Sequence, residues 1–225
     1  MTVPRRYYQL VASLPALPYF RQARLLPLSR RRLEERLAML HEEDLADLTQ
    51  AEGLVSWRRQ PVTRTTEEIA GMYDELMATT RNRALRSMVQ FRMTMRTVLV
   101  AFRLKRQGRG LPSGRWGVGP YTRMIESRWP DPEFGLVSVF PWIPEARAFL
   151  DQGDAMGLEG LGMDLTWRRL GQIAEQHPFG FEQVFAFAFK WDILHRWLSY
   201  DANVARQRFE ELILEVTIDH QDLFA

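Results

Sequence analysis

Arginine is the side chain best placed in this sequence to do chemistry. No Asp or Glu occurs from Leu76 through Ile125, while eleven Lys and Arg do. A guanidinium is planar, always charged and suited to bidentate pairing with carboxylate or phosphate. Such a run can grip nucleic-acid phosphates, or it can pair with carboxylates of neighbouring helices and of a protein partner. On a helical wheel Arg92, Arg96 and Arg103 lie along one flank of an apolar stripe, where a neighbouring helix is as near as solvent. The expectation is therefore internal or partner ion pairing, with Glu182, Asp192 and Glu211 as the acidic candidates. Asp192 and Arg196 also make an i, i+4 pair on one helix. No helix-turn-helix, RRM or KH pattern supports nucleic-acid binding, which stands as the alternative.

Other reactive groups are sparse. His41, His177, His195 and His220 form no H-E-x-x-H or other close metal spacing. His195 beside Asp192 is half of an acid–base pair, but no G-x-S-x-G or other nucleophile signature accompanies it. Cysteine is absent, which excludes disulfides, thiolate nucleophiles and cysteine-ligated metals. Residues 108–120, GRGLPSGRWGVGP, are rich in glycine but lack the GK[ST] of a phosphate loop, and they follow a helix rather than a strand. They read as an exposed connector. Within and beside it Arg106, Arg109 and Trp116 are candidate partner contacts, since aromatic and Arg side chains anchor interfaces. The expectation is a protein without catalytic residues, cofactor, metal or small-molecule substrate.

The elements that must hold these residues are mostly helices. Residues 7–20 are aromatic and apolar and end in two prolines, which predicts a buried strand or short extended segment, then a turn. Ser29 can cap a helix running to about Gln50, with Leu33, Leu37, Leu40, Leu45 and Leu48 on one face. Thr65 and Glu68 fit a capping box before the apolar spacing Ile69, Met72, Tyr73, Leu76 and Met77. A long helix covers about 82–107, with Met88, Phe91, Met95, Val98, Leu99 and Phe102 as its stripe. The methionines at 72, 77, 88, 93 and 95 are expected in the core. Pro144 opens a short helix to Leu150, and Leu165 to Gln176 is helical. From Phe181 to about Ser199 the apolar positions Val184, Phe187, Trp191, Leu194 and Leu198 recur at 3-4-3-4 spacing. Phe185, Phe189, Ile193 and Trp197 widen that surface, so this helix is expected at the centre. Asp201 can cap a final helix.

At 225 residues, 46% apolar and 26% charged, the chain suits one globular domain spanning 1–225. Charge is unevenly spread. Residues 1–115 carry 21 Lys and Arg against 11 Asp and Glu; residues 116–225 carry 9 against 17. Such a bipolar chain can pair its halves or show opposite faces to different partners. No apolar run reaches the roughly 18–20 residues that span a bilayer. Arg5-Arg6 followed by residues 7–20 mimics a secretory signal, but Gln9, Ser13, Pro15 and Pro18 interrupt it. A cytoplasmic location is expected.

Three stretches together carry a family likeness. The first runs from Tyr7 to Pro15, YYQLVASLP. The second is Arg81-Asn82-Arg83-Ala84-Leu85 followed by Phe102-Arg103-Leu104-Lys105-Arg106-Gln107-Gly108. The third comprises Leu158-Glu159, Leu165-Thr166-Trp167, His177-Pro178-Phe179, Phe189 through Trp197, and Arg208-Phe209-Glu210-Glu211. Their order resembles a bacterial family encoded among V-type ATPase subunits, itself similar to a short form of the C subunit, called d in eukaryotes. The resemblance implies a mainly α protein, an antiparallel helical bundle like part of that subunit. It implies a non-catalytic connector between the membrane rotor ring and the central shaft. Its partners would be other V-type ATPase subunits, and it would meet the membrane only through the complex.

Overall fold

The computed structural model describes residues 5–56 and 63–200. Among them the regular structure is helical, with no strand. Nor is any described helix long and apolar enough to cross a membrane.

The first described helix is α1 (Tyr8–Ser13), where a strand or extended segment was expected. The proline signal acts later than expected. Leu14, held at φ −80° and ψ 127°, is the residue that a following proline forces out of the helical region. Only 14–19 then run without regular structure before a 3-10 turn at Phe20–Gln22.

The helix expected from Ser29 to Gln50 is two. Ser29 caps α2 (Arg30–Leu37), accepting from the Arg32 amide at 3.4 Å. His41 caps α3 (Glu42–Val55), where Glu42, Glu43 and Asp44 crowd the first turn and favour its positive dipole end. Gly53 lies inside α3. A Cβ there would stand 2.5 Å from the Met72 Cε, so the glycine permits close packing on the next helix. That helix, α4 (Thr66–Thr79), starts with the expected capping box: Thr65 accepts from the Glu68 amide and Glu68 accepts from the Thr65 amide.

Helix α5 (Arg83–Arg106), capped by Asn82, packs on α3, α4, α6 (Thr122–Ser127), α7 (Ile143–Gln152) and α8 (Ala155–Gln176). Pro144 opens α7 as its spacing suggests, and Gly153 closes it at φ 72°. Helix α8 begins ten residues before Leu165, capped by Asp154. The last described helix, α9, covers 181–200. The helix expected from Asp201 lies outside the described residues, as does Glu211.

Apolar side chains form two clusters. The larger gathers Leu10, Phe20, Leu48, Leu76, Leu85 and Met88 around α9, whose Phe185, Phe189, Ile193 and Leu194 are buried. The smaller gathers Val98, Phe102, Phe134, Leu136 and Ile143. Helices α5 and α8 contribute to both.

The 108–120 segment is a loop, but it is not exposed throughout. Trp116, Gly117 and Val118 are buried, and Thr97 of α5 clamps Val118 through both its amide (2.9 Å) and its carbonyl (2.7 Å). A Cβ on Gly117 would come within 2.8 Å of the Thr97 methyl, so that approach requires glycine.

Two substitutions separate surface from core contributions. Thr65→Ala should cost about 1 kcal/mol by removing the cap. Phe185→Ala should cost about 3–5 kcal/mol by emptying the centre of the larger cluster. Urea unfolding followed by circular dichroism measures both.

Candidate functional site

The basic flank of α5 lines a real cleft. Arg92, Arg96, Leu99 and Arg103 form one wall, recurring at 4-3-4 spacing. Ala155, Leu158, Glu159 and Gly162 of α8 form the other, again on one helical face. Leu54 comes from α3 and Arg196 from α9. The cleft encloses about 510 Å³. Its openness follows from residue size, because Ala155 and Gly162 place almost nothing opposite the long α5 side chains.

Four arginines thus line the cleft, but they are not equivalent. Arg196 is held by Glu159 at 3.2 Å and stacks over the Tyr200 ring at 4.6 Å. The Tyr200 hydroxyl donates to the same carboxylate. Burial, then that hydrogen bond, raises the Tyr200 hydroxyl from 10.0 to about 12. Arg92 lies deeper, 3.5 Å from the Thr166 hydroxyl. Burial lowers it to about 10, against the pull of Asp192 and Glu159. Asp192 is itself buried at 6% exposure, and its charge acts to raise Arg92 on α5.

Arg96 and Arg103 differ from these. Burial is the main cause that lowers Arg96, and the Arg103 charge adds to it. The Arg96 Nη1 is shut off from solvent without a hydrogen-bond partner. No carboxylate pairs with Arg96 or Arg103 among the described residues.

Several expectations need correction. Among the described residues Glu182 takes no arginine; it accepts from the Asn82 amide nitrogen at 2.8 Å, because the first turn of α9 abuts the cap of α5. Arg196 turns to Glu159 on α8 rather than to Asp192 on its own helix. Trp116 is 7% exposed, donates to Glu126 at 3.0 Å and meets Trp129 edge-on, so it is a packing residue and not an open anchor. Arg106 is exposed but donates to the Leu150 carbonyl near the end of α7, where a cation is favoured. Arg109 stays exposed. His195 stacks on Trp191 at 5.3 Å, and the 180 Å³ cavity that touches Asp192 does not reach it. Among the described residues no group of three His, Asp or Glu could hold a metal ion.

Glu159 is the cleft residue that pairing arguments from sequence missed. Its signal was its position four residues after Ala155 and three before Gly162, on the face that packs towards α5.

No family model matches the chain, and comparisons with curated proteins and with solved structures find no match either.

Arg96 costs the fold stability, since it is a half-buried cation beside another cation. Arg96→Met should raise stability by about 1 kcal/mol, read as a higher melting temperature. A second outcome concerns pH. Tyr7, bonded to Asp44, and Tyr200 are both raised to about 12. The folded state keeps these protons when the unfolded chain has lost them, so stability falls as pH rises from 10 towards 12. Tyr7→Phe with Tyr200→Phe should flatten that fall, measured as urea midpoint against pH.

Proposed function

We propose that this chain is a non-catalytic connector or accessory subunit of a V-type rotary ATPase, standing between the membrane rotor ring and the central shaft. The observation that supports it is where the motif residues meet. The Tyr7 amide donates to the Phe179 carbonyl at 2.7 Å, and Tyr8 packs on the Phe179 ring at 5.0 Å. Within the third stretch Glu159 pairs with Arg196, and Lys190 lies 5.1 Å from the Trp167 ring. Residues from the separate motifs are therefore joints between helices of one scaffold. That is the role expected of motifs that define a mechanical part, and it differs from a set of groups converging on a reacting atom.

The opposed charge of the two halves suits a body held between two different surfaces.

The nucleic-acid reading is weaker. Arg92 and Arg96 are withdrawn into a cleft, Arg106 is bonded to Leu150, and Arg115 is paired with Asp74 at 2.6 Å. With Lys105 on the Trp129 carbonyl, five of the eleven basic residues are thus engaged within the fold and not free to follow a phosphate backbone.

Affinity capture of the tagged chain from gently solubilised membranes of its own host tests the proposal. Rotor-ring or central-shaft subunits should be retained. Capture without any rotary ATPase subunit would contradict it.

A further inference from the structure

We propose that the cleft between α5 and α8 binds a soluble organic phosphate, its dianionic head between Arg96 and Arg103 and its apolar body against Leu99, Met95 and Leu158. The site does not depend on the connector role.

Charge sets the ligand's head. Arg196 is neutralised by Glu159, and Arg92 feels both Asp192 and Glu159. Arg96 and Arg103 have no carboxylate among the described residues, and they face each other's charge. They start about 10 Å apart along the α5 axis, and each side chain is long enough to reach the midpoint. One anion placed there neutralises both. Two cations match a dianion, and forked guanidiniums match phosphate oxygens. Glu159 would repel such a ligand if it were free, but Arg196 and the Tyr200 hydroxyl already hold it.

Shape sets the ligand's body. Leu99 sits between the two arginines on the stripe, with Met95 beside it and Leu158 across the gap. Methionine adapts to varied apolar groups. About 510 Å³ falls in the range of small-molecule sites. A cleft between two helices admits a molecule of one or two rings and excludes a bilayer surface.

Titration of the full chain with 1-naphthyl phosphate, followed by calorimetry and by melting temperature, tests this. Saturable binding and a raised melting temperature are expected. Arg96→Gln and Arg103→Gln should each weaken binding by about tenfold, while melting as folded proteins. Arg115→Gln, whose native partner is Asp74, should bind as the unaltered chain does. Absence of saturable binding would overturn the proposal. So would 1-naphthol binding as tightly as its phosphate, or unchanged affinity in the Arg96→Gln/Arg103→Gln pair. Sedimentation with phosphatidic acid vesicles, in a protein that ignores 1-naphthyl phosphate, would overturn it in favour of a lipid surface.

Discussion

The structure depends on one constraint: α9 must be enclosed from nearly every side. Its apolar residues do not keep to a single stripe. Val184, Phe185, Ala186, Ala188, Phe189, Trp191, Ile193 and Leu194 are all buried, and together they go round the helix. A helix apolar all round cannot lie on a surface. The neighbouring elements supply the enclosure, with Leu10 from α1, Leu33 and Leu37 from α2, Leu48 from α3, Met88 from α5 and Leu170 from α8 in the same cluster.

Enclosure forces a reckoning for every polar atom that α9 carries. The Trp191 indole donates to the Leu28 carbonyl at 2.8 Å. The Lys190 ammonium lies over Trp167, trading hydration for the ring's negative face. Arg196 finds Glu159, and the charge of the buried Asp192 acts on Arg92. The last two pairings draw part of the α5 basic flank into the scaffold. They leave Arg96 and Arg103 behind, in a groove that the small residues of α8 do not fill. The scaffold and the candidate site are therefore two consequences of the same helix contacts.

Local signals in the sequence carried the helix starts. Ser29, Thr65 with Glu68, and Pro144 each act through residues three or fewer positions away, so their geometry is written in adjacent letters. The centrality of 181–199 was legible because apolar periodicity is also local. The break between α2 and α3 was not, since leucines at 33, 37, 40, 45 and 48 suit one helix as well as two. The deciding cue was the acidic run after His41. Trp116 and Glu182 were misread for a different reason. Their environments are set by Glu126 and Trp129 in one case and Asn82 in the other, through packing that no spacing rule encodes. The cleft lay between these cases: the arginine stripe was visible, but the missing volume opposite it was not.

Hydrogen exchange across the helices tests the enclosure of α9 most directly. Amides from Val184 to Leu194 should exchange last, through global unfolding alone, long after those of α2, whose outer face is open to solvent. Exchange in α9 as fast as in α2 would mean that the central helix is not the one on which the others are built.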